Sequence, residues 1–283
     1  MSELYVGLGE RRFRVERPWA ILPPPLEFGW ITDVAVDSVS RVYVLQRYDP
    51  LVDKMGPVMS VFDPQGKYLE SWDSHLIKDA HHVYISPDDR VFIVDRDAHQ
   101  VVICDTRGEV TSTLGMRDQP NSPFNHPTSV AVGSRGDIYV ADGYGASRVH
   151  RFAPDGQLVS TWGLPGRGPG EFTTPHGIWV LRDGRVLVGD RENDRVQIFD
   201  PEGCYLSELT GFFHPMSICA DSSQTIYVSD QIPRLTAMST DGTLLGVCRP
   251  VLNWAHGLAV DTVGNFYLSE SRPNRITRLT VVS

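Results

Sequence analysis

The 283-residue chain has no stretch of about 18 consecutive apolar residues, so no helical membrane span is expected. Its first residues, MSELYVGLGERRFRVERPW, lack an apolar core behind a basic start. No secretory leader is therefore expected, and the reading is a cytoplasmic one. Excess basic charge is also missing. There are 26 Lys and Arg against 35 Asp and Glu, a net charge of −9, which argues against a phosphate-binding face and a nucleic-acid partner. Paired cysteines are missing too. Cys104, Cys204, Cys219 and Cys248 are scattered with no CxxC, which fits reduced thiols and excludes a disulfide frame or thiolate metal site. Long helical periodicity is nearly absent.

What remains is a chain of short β-branched and aromatic runs. Asp-Gly and Pro-Asp type turns separate them, as in DPQGKY, APDGQLV, DPEGCYL and STDGTLL. One pattern recurs six times: a short apolar strand, a turn, a second apolar strand, then an acidic or polar residue. The first strands begin at Val34, Val83, Val130, Ile178, Ile218 and Leu258, so successive starts lie 49, 47, 48, 40 and 40 residues apart. Twelve residues after each start stand Gln46, Asp95, Asp142, Asp190, Asp230 and Glu270. Four strands fit in each unit, and a four-stranded blade repeated six times is a β-propeller. The expectation is an all-β, six-bladed β-propeller forming one domain over residues 1–283. The last unit has room for only three strands. The alternating segment 11–20 (RRFRVERPWA) is expected to supply the fourth and close the ring. The stretch 22–25 (LPPP) reads as a crossing loop.

A histidine register runs through the repeats. Two positions before each start stand Thr32, His81, Thr128, His176, Met216 and His256, so histidine occupies units two, four and six and no others. Alternate blades of a six-bladed ring sit about 120° apart, with the innermost strand lining the axis. Three imidazoles at one height there would form a three-histidine metal site with an open position, the catalytic arrangement for zinc; iron(II) or manganese(II) would also be accommodated. Taken singly, each histidine reads as a loop residue bonding a backbone group, and only the alternation points to a metal. His82 should point away. His126 and His214, each before a proline, read as lead-in loop residues, and His75, His99 and His150 as surface or interblade groups.

Thirteen residues after each start stand Arg47, Arg96, Gly143, Arg191, Gln231 and Ser271, with Tyr144 next in unit three. The second strand returns to the histidine face, so Arg47, Arg96 and Arg191 would rim the metal and bind a carboxylate or similar small anionic substrate. The alternative for these arginines, open for Arg96, is a salt bridge to the acid at offset twelve. Residues 47–60 form a long insertion at the same rim that would cover the substrate.

Two resemblances follow. Residues 166–200, GRGPGEFTTPHGIWVLRDGRVLVGDRENDRVQIFD, resemble the NHL repeat, with weaker copies elsewhere. VADGYGASRV, PHGIWV…GDRENDRVQIF and the histidine triplet resemble peptidyl-α-hydroxyglycine α-amidating lyase, a zinc enzyme on a six-bladed NHL propeller. The resemblance places the family's zinc ligands on His81, His176 and His256, its active-site arginines on Arg47 and Arg191, and its tyrosine on Tyr144. It implies N–C bond cleavage at a carbon bearing a hydroxyl and an amide nitrogen beside a carboxylate, with Tyr144 as acid/base. The family's cysteine after the tyrosine is Gly145 here, so its disulfide framework is missing. Its aspartate after the third histidine is Gly257, which argues against the structural calcium ion. With no leader expected, a small-molecule substrate is expected in place of peptide hormones. A zinc hydrolase activating water for amide or ester cleavage would use the same residues. A non-enzymatic NHL scaffold for protein or RNA would show a basic or aromatic face and no metal.

Overall fold

The computed structural model describes residues 3–48, 56–73, 77–251, 253 and 255–282. Residues 49–55 of the rim insertion, and His75, lie outside them. The fold is an all-β, six-bladed β-propeller arrangement: six antiparallel sheets, each of four strands except the last, which has five. The first strands are Trp30–Val36, Ala80–Ile85, Ser129–Val132, Pro175–Val180, Pro215–Ala220 and Ala255–Val260. Each contains the start read from the repeats. The second strands, Val42–Arg47, Val91–Asp95, Ile138–Asp142, Val186–Asp190, Ile226–Asp230 and Phe266–Ser271, end at offset twelve or thirteen.

Local chemistry sets the strand ends. Between first and second strands an aspartate accepts its own turn's N–H groups; Asp37 Oδ1 takes those of Val39 and Arg41 at 3.1 and 2.7 Å. Between third and fourth strands the turns close on Gly66, Gly108, Gly156, Gly203 and Gly242, all at φ between 85° and 92°, where a side chain would be strained. The second strands are buried almost throughout, while fourth strands such as Val110–Leu114 are mostly exposed. Both faces of an inner strand meet neighbouring sheets, so its sequence is a continuous apolar run instead of an alternation.

The chain divides into two compact units. Residues 1–76 and 219–283 form one, and residues 77–218 form the other; the division falls inside Pro215–Ala220. In the second unit Phe92, Phe124, Phe152 and Val140 pack between blades two and three, and Tyr139, Phe172 and Phe199 between blades three and four. In the first, Trp19 packs against Phe62 and Tyr267 at ring distances of 6.2 and 5.0 Å. Its backbone N–H reaches Ile276 O at 2.9 Å, anchoring the loop that holds LPPP.

The N-terminal strand Arg11–Glu16 pairs with Asn274–Val282 from Arg12↔Val282 to Glu16↔Arg278, so it is the fourth strand of the last blade, as expected. Leu4–Leu8 folds back across a turn at Gly9 and adds a fifth strand that the repeat pattern did not indicate.

Phe13 on the closing strand is fully buried, with its ring 5.5 Å from that of Phe266. Phe13→Ala should lower stability by about 3–5 kcal/mol. Leu4→Ala, on the exposed fifth strand, should stay within about 0.5 kcal/mol. Equal shifts in thermal unfolding would mean that the closing strand is not integral to the last blade.

Candidate functional site

In blades two, four and six the first strand is irregular at its histidine. The ladder shifts register between Ala80 and His82, between Pro175 and Ile178, and between Ala255 and Gly257. Such a bulge leaves one residue unpaired and turns its side chain out of the alternation. His81 and His256 are those residues, and in blade four His176 and Gly177 together lie opposite Gly189.

Their ring geometry repeats. His81 Nδ1 donates to Thr128 O at 2.7 Å and His176 Nδ1 to Met216 O at 2.8 Å, both within residues 77–218. In the other unit His256 Nδ1 donates to Thr32 O at 2.7 Å. The acceptors Thr128, Met216 and Thr32 are the residues that hold the histidine register in the intervening blades. A carbonyl only accepts, so Nδ1 carries the hydrogen and the lone pair lies on Nε2. A backbone carbonyl on the far nitrogen is also what orients a metal-bound imidazole.

His81 and His176 are buried, with ring centroids 5.1 Å apart and ligand atoms within 4.8 Å of each other. Tyr144 stands between them. Its Oη lies 3.1 Å from His81 Nε2 and 3.2 Å from His176 Nε2, so both nitrogens address one point. The Tyr144 side of this point is open, the residue being 39% exposed. Arg191, at the start of a short 3-10 turn, donates from Nη1 to Tyr144 Oη at 3.3 Å and from Nε to Glu192 at 2.8 Å. Arg96 lies 5.6 Å and Arg191 5.3 Å from the Tyr144 ring centre. The structure thus brings five expected residues together: His81, Arg96, Tyr144, His176 and Arg191.

The acids at offset twelve do other work. Asp95 accepts the backbone N–H of Lys78 and of Asp79 at 2.8 Å each, Asp142 that of Asn125, and Asp190 that of Thr173 at 2.7 Å. Gln46 takes that of Gly29 at 3.0 Å. Each pins the loop that leads into its blade. Burial pushes the Asp95 and Asp190 carboxyls above the usual range, partly offset by those hydrogen bonds. Arg96 does not pair with Asp95. It bonds Asp79 at 2.7 Å and Asp97 at 2.8 Å.

In the first unit, Arg47 and Arg272 lie 5.0 and 5.3 Å from the ring centre of Trp30, which is 37% exposed. The sequence reading passed over Trp30 and Arg272. Arg272 is at offset fourteen of unit six, a register read only in unit three. Reading that offset in every unit would have found it.

The other histidines separate. His82 turns to Ser129 Oγ at 3.1 Å, away from the Nε2 pair. His126 and His214 sit in left-handed turns at φ 61° and 48°, as lead-in residues. His99 and His150, expected as surface or interblade groups, are buried: His150 bridges Asp142 and Thr161, and His99 Nδ1 accepts the N–H of His126 from the lead-in of the next blade at 3.1 Å. A side chain at Gly145 would meet the Asn125 amide at 2.5 Å, so a cysteine has no room there. A side chain at Gly257 would fall 1.9 Å from Asp33 Oδ1. The residues present therefore do not fit a calcium aspartate at that position.

Comparison with known proteins agrees with this geometry. The NHL repeat family matches residues 124–152 and 172–199. Mouse peptidyl-glycine alpha-amidating monooxygenase is 27% identical over 89% of this chain, which spans 30% of that protein. Peptidyl-alpha-hydroxyglycine alpha-amidating lyase 1 of Drosophila melanogaster is 26% identical over 89% of this chain and 52% of its own length. The chain thus spans about half or less of these relatives. A streptogramin B lyase structure superposes with a TM-score of 0.68 over 98% of this chain and 100% of that one, at 14% identity, a likeness of fold. No helix among the described residues is long and apolar enough to cross a membrane.

Gly143, at the arginine register of unit three, has no room for a side chain: a Cβ would come 1.9 Å from Pro175 O, next to His176. Gly143→Ala should cost about 1–3 kcal/mol in denaturant unfolding. Unchanged stability would mean that the Tyr144 turn does not press on the His176 strand.

Proposed function

We propose that this protein is a metal-dependent lyase, with zinc as its metal, that cleaves the N–C bond of a small carboxylate-bearing α-hydroxy-amide. His81, His176 and His256 would be the metal ligands. The observation that carries this reading is the shared Nδ1–H bond to a backbone carbonyl, which presents each Nε2 lone pair to a metal. Neutral imidazole suits zinc, and iron(II) or manganese(II) accept the same donors. When bound, the metal supplies a Lewis acid that lowers the pKa of a hydroxyl or water.

The chain's own groups do the rest. Arg191 or Arg47 holds the substrate carboxylate through guanidinium N–H donors. Arg191 also donates to Tyr144 Oη, which holds the phenol oxygen in place. Tyr144 Oη takes the proton of the substrate hydroxyl. The hydroxyl oxygen then forms a carbonyl as the C–N bond breaks, and the nitrogen leaves with the proton that Tyr144 returns. Products are a carbonyl acid and an amide. Water addition at the same residues would make the protein a hydrolase, with an acid and an amine or alcohol as products. A reducing, cytoplasmic setting accompanies the proposal, since all four cysteines are free. No nucleic-acid partner is proposed.

The purified protein should carry about one metal per chain, measured by elemental analysis, and His176→Ala should lose it. Unaltered metal in single alanine variants of His81, His176 and His256 would sink the site. Tyr144→Phe should keep the metal and lose about 10²–10⁴ in kcat. Arg191→Ala should raise KM for carboxylate substrates; equal loss on a neutral analogue would argue against carboxylate binding. Product analysis on an α-hydroxy-amide separates carbonyl formation from hydrolysis.

A further inference from the structure

We infer that Arg96 is a positioning residue, holding the Tyr144 ring against the two imidazoles, and that it does not receive the substrate anion. The inference rests on the reading of Tyr144 as the acid/base group. Arg96 comes from blade two and Arg191 from blade four, the neighbours of Tyr144 in blade three, and their guanidinium carbons lie 5.6 and 5.3 Å from the centre of the phenol ring.

Their surroundings differ. Arg191 faces one carboxylate, Glu192, and reaches the phenol oxygen itself. Arg96 faces two carboxylates. Its Nη2 donates to Asp79 Oδ2 at 2.7 Å and to Asp97 Oδ2 at 3.3 Å, its Nε to Asp97 Oδ1 at 2.8 Å, and its backbone N–H to Asp79 O at 3.0 Å. A substrate carboxylate brought to Arg96 would meet two like charges, whereas at Arg191 it meets one. The same bonds make Arg96 rigid, because a planar guanidinium held on two edges cannot rotate. Asp79 stands two residues before His81. Arg96 therefore ties the lead-in to the first imidazole to the face of the ring whose oxygen sits 3.1 and 3.2 Å from the two Nε2 atoms. Without it the ring keeps its contact with Arg191 and loses its tie to the strand lead-in of His81.

The test compares Arg96→Met, Arg96→Lys and Asp97→Asn with the unaltered protein. Tyrosine is labelled with ¹³C at Cζ, and Tyr144→Phe identifies the Tyr144 resonance. Arg96→Met should move or broaden that resonance. It should lower kcat roughly ten- to a hundredfold, as a misplaced group does, leave KM for an anionic substrate within about twofold and leave metal content unchanged. Arg96→Lys keeps a cation over the ring and should recover much of kcat and of the resonance. Asp97→Asn, which keeps Arg96 and loosens its fork, should shift the resonance part of the way and covers the case in which Arg96→Met does not fold. An unmoved Tyr144 resonance overturns the inference. So does a rise in KM at unchanged kcat, which would make Arg96 an anion receptor. If the unaltered protein turns over no α-hydroxy-amide, the proposed function fails, and the resonance still decides the placement.

Discussion

A backbone carbonyl that accepts an imidazole N–H decides what the other ring nitrogen can do, and three carbonyls do this here. Thr128, Met216 and Thr32 stand at the register that histidine holds in the alternate blades, and each takes the Nδ1 hydrogen of the histidine before it in the ring order. The bond selects the tautomer, fixes the ring plane and leaves the Nε2 lone pair for a metal or a proton. The bulge at each histidine makes it possible. A residue within the regular ladder would point its side chain into the sheet packing, whereas a bulged one can reach a neighbouring strand. Side-chain identity at the acceptor is irrelevant to the bond, which is why threonine and methionine can alternate with histidine.

The buried polar residues at offset twelve hold the frame around this bond. In sequence they are the acidic or polar residues that end the second strands, open to salt bridges with the arginines that follow. In the structure their oxygens are taken up by backbone N–H groups of the loops seventeen residues earlier, seen at Asp95, Asp142, Asp190 and Gln46. Glutamine can replace aspartate because the task is to accept a hydrogen bond and not to carry charge. Glu270 serves its own blade differently, through Arg275 and Thr277. Burying an ionised carboxyl is costly, and the N–H donors and, for Asp190, the Arg195 guanidinium offset that cost. The candidate site residues Arg191 and Tyr144 stand one or two positions later, where the strand ends.

Much of this was legible in the chain. The six strand starts and the alternation of histidine follow from spacing alone, since a repeat must place equivalent residues at equivalent points, and the closing strand was expected within residues 11–20 from their alternation. The loops at the rim were less legible. Trp30 opens the first strand of blade one, Arg272 stands at an offset read in unit three alone, and Leu4–Leu8 has no counterpart in the other units. Of the two places open to His150, surface or interblade, it takes a buried one, where Asp142 and Thr161 give both nitrogens partners.

What the sequence determined by itself is periodic: strand positions, blade number, turn residues, and the three places where imidazole replaces threonine or methionine. Those features depend on local backbone chemistry and on a fixed repeat length, which a sequence states directly. Only the tertiary structure decided which side chains share space across blades. It separated Arg191, which reaches the phenol oxygen of Tyr144, from Arg96, which is tied to Asp79 and Asp97, although both stand at one register with an acid just before them. The reason is geometric. Apart from Asp97, the partners here are 17 to 63 residues apart in the chain, and their distances are set by how neighbouring blades pack, which no local spacing records.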